Sequence, residues 1–155
     1  MYLRVIIQRF MPLYNNGATL IRTNLEQIQA GRRARLVAVG SLTPDQLAAI
    51  NRKRTIRNLP PVEAEVVFIG KHVYETRIAK DGYAITDVID QIASAMHADA
   101  EVLDNPKMTA LQAIASREDR YGNCVKDRVV LECTTRYPRP ELFSVIPKGD
   151  KIKPK

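Results

Sequence analysis

The chain has 155 residues, of which 45% are hydrophobic and 26% are charged. That length suits one folded domain with at most a small appendage, and the composition excludes an intrinsically disordered chain. Lys and Arg number 24 against 17 Asp and Glu, so the formal net charge is +7. The excess lies in residues 1–60, which hold 10 Lys and Arg against 2 Asp and Glu. Such a segment favours a polyanionic partner, either nucleic acid or an acidic protein; the alternative is a solvated face that aids solubility.

The cysteines indicate a reducing compartment. Cys124 and Cys133 are too few for a disulfide framework and lack the spacing of metal ligands, so we expect a cytoplasmic protein.

No apolar run reaches the roughly 18–20 residues of a membrane span, and the N-terminal stretch lacks a signal-peptide cleavage pattern. The sequence also lacks a Walker loop, a G-x-S-x-G motif and an H-E-x-x-H motif. No metal, cofactor or membrane is therefore expected.

The N-terminal part predicts two helices. Residues 2–10 alternate loosely and fit either an edge strand or a loose arm. Residues 19–30 carry apolar side chains at i, i+4 and i+7, which predicts a helix that Gly31 ends. A second helix is predicted after Thr43, which serves as N-cap while Gln46 completes a capping box. Its last turns carry a basic run, for which we predict nucleic-acid contacts through Arg52, Lys53, Arg54 and Arg57.

The prolines at positions 60 and 61 mark the predicted boundary, because strand patterns follow them. Residues 62–69 predict a strand that ends at Gly70. Residues 72–80 fit either a short helix or a second strand, and the helix is favoured. An amphipathic helix is then predicted from a Thr86 cap, with a stripe of apolar residues at 88, 89, 92, 93 and 96.

The C-terminal part predicts a hairpin. Residues 108–115 show a weak helical pattern, and DRYGN at 119–123 predicts a turn. RVVLECTTR at 128–136 alternates, and ELFSVI at 141–146 is its predicted antiparallel partner. We therefore predict an α+β fold in which helices pack on a small antiparallel sheet. The expected organisation is a basic helical segment over residues 1–60, a compact domain over 61–150 and a flexible basic tail over 151–155.

The side chains that remain suit cleavage of RNA without a metal. RNA carries its own nucleophile, the 2′-OH, so an enzyme needs a base, an acid and cations that hold the phosphate. Histidine titrates nearest neutral pH, and arginine holds phosphate with a bidentate fork. The chain has two histidines, His72 and His97. For His97 we expect only a cation at the end of the amphipathic helix.

Residues 62–148 resemble the small nuclease superfamily that includes barnase, EndoU, colicin nucleases and RelE-like toxins. The resemblance lies in Lys71-His72, then Arg77-Ile78, then Gly82, followed by the helix start ITDVI. The hairpin of RVVLECTTR and ELFSVIP, closing in SVIPK, completes the pattern.

This resemblance implies a nuclease-like domain and a metal-independent, toxin-like endoribonuclease of the kind found in phage or bacterial genomes. His72 would be the base or acid, Arg77 a phosphate ligand and Ser144 a strand hydroxyl, with Lys71 and Lys148 as supporting cations. The expected partners are RNA and an acidic neutralising protein.

Each of these residues has a structural alternative. His72 fits a surface histidine, Arg77 fits an ion pair with Asp81 or Glu75, and Ser144 fits a buried hydroxyl bonded to backbone. Tyr121 fits either RNA base stacking or packing of its turn. Two other functions stay open, a non-catalytic nucleic-acid-binding or regulatory module and a protein-interaction adaptor or phage assembly component. The sequence predicts no oligomeric state.

Overall fold

The computed structural model describes residues 12–104, 109–119, 121–133 and 138–147, and the predictions for residues 2–10, Lys148 and the tail lie outside these ranges. The helices are α1 (Gly17–Gln29), α2 (Pro44–Ile56), α3 and α4 (Ile85–Ala95), where α3 begins as Lys71–Val73 and continues as a π-helix over Tyr74–Lys80. The strands are β1 (Val37–Ser41), β2 (Glu65–Phe68), β3 (Ala100–Asp104), β4 (Thr109–Glu118), β5 (Cys124–Cys133) and β6 (Glu141–Pro147). The predicted α+β class is confirmed.

The described strands form one six-stranded sheet in the order β1-β2-β6-β5-β4-β3. Strands β3 to β6 are a consecutive antiparallel run, so the predicted pairing of the last two strands is confirmed. The sheet is nevertheless mixed, because β2 joins β6 in parallel through Val67 and Glu141. The antiparallel pair of β1 and β2, which are connected through α2, thereby enters the same sheet as the C-terminal strands.

One hydrophobic core holds the N-terminal and C-terminal parts together. Ile21 of α1 and Ile50 of α2 are fully buried in the same cluster as Val129 and Leu131 of β5. Helix α4 packs on α1 and on the central strands, and α2 packs on β3 and β4. The prolines at 60 and 61 therefore connect α2 to β2 within a shared core, because both sides of this position bury side chains in it.

The second predicted helix forms as its local signals indicate. Thr43 is the N-cap, its hydroxyl accepts the Gln46 N–H at 3.2 Å, and the Gln46 side-chain oxygen accepts the Thr43 N–H at 3.0 Å. This reciprocal pair is the predicted capping box. The prediction of a helix at 72–80 is also confirmed, although most of that helix has π geometry.

Two predicted elements differ from the structure. Helix α4 begins one residue before Thr86, and Ala84 is its N-cap, because the Asp87 carboxylate reaches back to the Ala84 N–H at 2.8 Å. The helical pattern at 108–115 was misleading, since Thr109–Glu118 is strand β4. Pairing with β3 on one side and β5 on the other overrides the weak helical preference of that segment.

Candidate functional site

A glycine sets the position of the Lys71-His72 pair. Gly70 follows β2 with φ +83°, a left-handed conformation, and serves as N-cap of α3. A Cβ atom at Gly70 would lie 2.7 Å from the Phe68 ring. The chain therefore turns sharply from β2 into α3 at a place where only glycine fits without strain. His72 is consequently presented on the first turn of α3.

The His72 imidazole stacks on the ring of Phe143. The ring centroids are 4.5 Å apart, and the planes differ by 5°. Phe143 is the extra residue of a β-bulge, because Leu142 pairs with Leu131 and Ser144 pairs with Val130. Bulges re-aim a side chain and are frequent beside active sites. The bulge thus supplies an aromatic platform that fixes the plane of the histidine ring.

Glu132 is the carboxylate that interacts with His72. It lies on β5 opposite Glu141 of β6, and its neighbours Leu131 and Cys133 are buried in the core. Since successive strand residues point to opposite faces, Glu132 points away from the core. Burial raises the pKa of Glu132, and the positive charge of His72 acts in the opposite direction. A histidine and a half-buried carboxylate are therefore electrostatically coupled at this point of the sheet.

The π-helical part of α3 follows His72 directly. Tyr74–Lys80 has π geometry over seven residues, and the Thr76 hydroxyl donates to the His72 carbonyl at 2.7 Å. π-Helical turns are rare and occur often at functional sites. Arg77 lies inside this segment.

Arg77 forms an ion pair within α3. Its Nη1 donates to the Asp81 carboxylate at 2.5 Å, and the two side chains are 15% and 5% exposed. Its Nε is buried and has no hydrogen-bond partner among the described residues. Asp81 therefore neutralises the Arg77 charge, which is the arrangement named above as the structural alternative to phosphate binding.

A second buried ion pair lies near the first. Arg117 of β4 donates to the carboxylate of Asp127 on β5, and the Asp127 side chain is fully buried. Burial raises the pKa of Asp127, and Arg117 opposes that shift. Tyr83 interacts electrostatically with both pairs. Burial raises the pKa of Tyr83, the two arginines lower it, and Asp127 and Asp81 raise it. These five residues form a buried polar cluster that connects the end of α3 with β4 and β5.

The structure brings two of the three predicted catalytic residues to the same part of the sheet. Ser144 is buried and follows Phe143, on which His72 stacks. Its partner Val130 lies two positions before Glu132, so the Ser144 and Glu132 side chains share a face of the sheet. Arg77 instead belongs to the buried cluster. No hydrogen bond joins His72, Arg77 and Ser144, all three of which lie in described parts of the chain.

The predicted basic run of α2 divides into inner and outer side chains. Arg52 and Lys53 are exposed, and Arg57 is half-buried. Arg54 is 1% exposed, with its Nε donating to the Pro60 carbonyl at 2.6 Å and its Nη1 to the Cys133 carbonyl at 2.6 Å. The predicted nucleic-acid contact of Arg54 does not fit this position, because the side chain is buried and its Nε and Nη1 bind carbonyls inside the protein.

The remaining predicted contacts are exposed where the structure describes them. Lys71 is 75% exposed and lies 3.9 Å from the Glu75 carboxylate, a loose surface pair. Tyr121 is 68% exposed in the 119–123 turn, where the Asp119 side chain accepts the backbone N–H groups of Tyr121 and Asn123.

The second histidine lies elsewhere. His97 follows the end of α4 and lines a groove with Ser94 and Ser116 of β4, whereas His72 stacks on β6. Strand β5 separates β4 from β6, so the two histidines lie against strands that are not adjacent, and such strands are about 10 Å apart in a sheet.

Sequence reasoning missed Glu132, Phe143 and the part of the buried cluster beyond Arg77 and Asp81. A signal for Glu132 was present, because it is an acidic residue inside the apolar strand RVVLEC. Phe143 gave no such signal, since its role depends on a bulge that only strand register reveals. The cluster joins residues from α3 and from two strands, and their convergence follows from tertiary packing.

Two further findings bear on the site. In the described ranges, no group of three or more His, Cys, Asp and Glu side chains is arranged to hold a metal ion. No helix in those ranges has the length and apolar character of a membrane span.

Comparison of the chain with family models, curated proteins and solved structures gave no significant match. The likeness to the small nuclease superfamily therefore rests on the sequence pattern alone.

Proposed function

We propose that the protein is a metal-independent endoribonuclease in which His72 and Glu132 act as the acid–base pair. The observation that carries the proposal is the His72 imidazole, which stacks on Phe143 of β6 while Glu132 lies on the neighbouring strand β5. Among the described residues, no hydrogen bond occupies the ring nitrogens of His72, and the residue is exposed. Both nitrogens are thus available to a substrate.

The proposed reaction uses the 2′-OH of RNA as nucleophile. Glu132 accepts the 2′-OH proton while the 2′-oxygen forms a bond to phosphorus. The bond from phosphorus to the 5′-oxygen breaks, and the His72 imidazolium gives its proton to that oxygen. The products are one end with a 2′,3′-cyclic phosphate and one end with a 5′-OH.

The environment of the two groups supports these roles. A carboxylate whose pKa is raised by burial is a stronger base than an exposed one, and Glu132 has such an environment. Histidine can carry a proton near neutral pH and release it there. The stacking contact with Phe143 restricts rotation of the imidazole, so the donor is held in one plane. Lys71, next to His72 and highly exposed, is placed to attract phosphate.

Ser144 and Arg77 have supporting roles in this proposal. Ser144 lies on the face that carries Glu132, so its hydroxyl is a candidate hydrogen-bond donor to the same region. Arg77 is neutralised by Asp81, and we assign it to maintaining the shape of α3. We also propose that the protein is toxin-like and of phage or bacterial origin, that it acts in the cytoplasm, and that an acidic partner protein neutralises it.

The test is a gel assay on total tRNA and rRNA in EDTA. We expect discrete fragments from the wild type and a loss of cleavage of about 10²-fold or more for His72→Ala and Glu132→Gln. His97→Ala is the matched control, since it removes the other exposed histidine and should cut at the wild-type rate. Undiminished cleavage by His72→Ala would show that this site is not the catalytic one.

The pH profile separates the two roles. Wild-type cleavage should follow a bell-shaped curve, limited at low pH by protonation of Glu132 and at high pH by loss of the protonated general acid. Residual cleavage by Glu132→Gln should lose the acidic limb and keep the alkaline one. A profile unchanged by Glu132→Gln would remove Glu132 from the mechanism.

A non-catalytic RNA-binding module is the second candidate. It is favoured by Arg52 and Lys53, which are exposed and have no ion-pair partner among the described residues. This alternative predicts salt-sensitive RNA binding by the wild type with no fragments at any pH.

A further inference from the structure

The segment between α1 and β1 carries three arginines with free charges. Arg32, Arg33 and Arg35 lie in residues 31–36, which we call the arginine loop, and all three are exposed. No ion pair within the described ranges involves any of them. The loop therefore presents three uncompensated cations to solvent.

A buried asparagine fixes this loop to the end of β2. The Asn24 side chain on α1 is 2% exposed, and its Oδ1 accepts the Arg35 N–H at 3.1 Å. Its Nδ2 donates both to the Arg35 carbonyl and to the Ile69 carbonyl, each at 2.8 Å. The two carbonyl oxygens share one donor atom, so they are at most 5.6 Å apart. The arginine loop thus lies beside Ile69, three residues before His72.

The end of α1 also packs against this junction. A Cβ atom on Gly70 would be 3.4 Å from Ile28 of α1, and α1 contacts the π-helical part of α3. The loop, the end of α1 and the start of α3 are therefore one packed unit. The backbone of the loop accordingly holds a fixed position relative to His72, and the arginine side chains extend from it into solvent.

We propose that the arginine loop binds the RNA backbone next to the His72 site. This inference rests on the proposed function, because it assigns the phosphate-binding flank of that site. Guanidinium groups bind phosphate oxygens in a bidentate manner, and free guanidinium groups meet no competing carboxylate. Arg32 lines a groove together with the acidic side chain of Glu26. For that reason Arg33 and Arg35 are the better residues to test.

The basic run of α2 supplies a matched control. Arg54 points from α2 to the Cys133 carbonyl, one residue from Glu132. Successive residues of an α-helix are rotated by about 100°, so Arg52 projects from nearly the opposite side of α2 to Arg54. Replacing Arg52 and Lys53 removes two exposed positive charges from α2, of which the Arg52 charge lies on the side turned away from Glu132. Replacing Arg33 and Arg35 removes the same charge from the arginine loop.

The experiment measures binding separately from cleavage. A fluorescent single-stranded RNA is titrated with His72→Ala protein from 50 to 300 mM salt, so that RNA stays intact. In that background, Arg33→Ala/Arg35→Ala should make the plot of log affinity against log salt shallower by about 1.4, since each lost phosphate contact on a single strand contributes about 0.7. Arg52→Ala/Lys53→Ala removes the contacts that the non-catalytic binding module would use, and it should change the slope by less than half of that if the arginine loop is the binding site.

The outcomes distinguish this inference from the proposed function. Equal slope changes in both double variants would mean that binding follows net charge, and an unchanged slope for the loop variant would exclude the loop; either result overturns the inference. A wild type that cuts RNA while the loop variant binds normally would sink the inference and leave the proposed function intact. If RNA binds through the loop but the wild type never cuts it, the proposed function fails and the binding role of the loop stands. Circular dichroism confirms that each variant is folded.

Discussion

Replacing Arg54 with methionine is expected to lower the free energy of unfolding by about 2 kcal/mol. The side chain is almost completely buried, and it donates to the carbonyls of Pro60 and Cys133. Among the described residues, no carboxylate pairs with it. Methionine fills the space of the arginine stem and lacks the guanidinium group, so the substitution mainly removes the hydrogen bonds that Nε and Nη1 donate.

The magnitude follows from the two carbonyls that lose a partner. The Cys133 carbonyl lies in a buried contact, and leaving such a group unpaired costs about 1–3 kcal/mol. Pro60 is exposed, so water can replace Arg54 at its carbonyl at little cost. Removing a buried cation returns part of its desolvation penalty, which holds the total near the middle of that range.

The assay is urea unfolding followed by circular dichroism, supported by thermal unfolding. For a chain of this size, a loss of about 2 kcal/mol lowers the Tm by about 4–8 °C. Arg52→Met is the matched control on the exposed side of the same helix and should stay within about 0.5 kcal/mol of the wild type. Equal stability of Arg54→Met and Arg52→Met would refute the reasoning, because it would mean that the buried contacts of Arg54 contribute nothing.

Three other substitutions test the fold around the site. Gly70→Ala should lower the free energy of unfolding by about 2 kcal/mol or more, because φ is +83° and a Cβ atom would lie 2.7 Å from Phe68. Urea unfolding measures this change, and a loss below about 0.5 kcal/mol would contradict the prediction. Thr43→Ala removes the hydroxyl that accepts the Gln46 N–H and should cost about 1 kcal/mol in the same assay, whereas Thr43→Ser should restore most of it. Tyr83→Phe should reduce the loss of stability above pH 10, measured by thermal unfolding across pH. Burial raises the Tyr83 pKa above 10.0, so the unfolded chain releases its proton first and stability falls as pH rises through this range; an alkaline decline identical in Tyr83→Phe would argue against it.

Elements with local signals were predictable from the sequence. The capping box at Thr43 and Gln46 involves residues three positions apart, so it is visible without tertiary information. Strands β1 and β3 were not predicted, because each has only five residues and is stabilised by pairing, β1 with β2 beyond α2 and β3 with the following strand β4. Strand β4 was predicted as a weak helix for the same reason, since its neighbours on both sides decide its conformation.

The candidate site likewise combines residues that the sequence identifies with residues whose role only the structure reveals. His72 was identified because a histidine beside a lysine is chemically distinctive in sequence, but the partners of its ring depend on strand register and on the bulge at Phe143. Arg54 was assigned to the surface because it belongs to a run of cations. Its spacing from Leu47 and Ile50, at i+7 and i+4, nevertheless places it on the apolar face of α2, and that periodicity was the signal to use.

The N-terminal helices help to position the candidate site, although none of the proposed catalytic residues lies in them. Asn24 on α1 holds the end of β2 three residues before His72, and Arg54 on α2 holds the end of β5 one residue after Glu132. Asn24 thus holds the segment that leads to the acid, His72, and Arg54 holds the strand that carries the base, Glu132. Disturbing either contact should move His72 and Glu132 relative to each other without removing a reacting group. Under the proposed mechanism, Arg54→Met should therefore lower kcat while the pH profile keeps both limbs, whereas Glu132→Gln removes one of them.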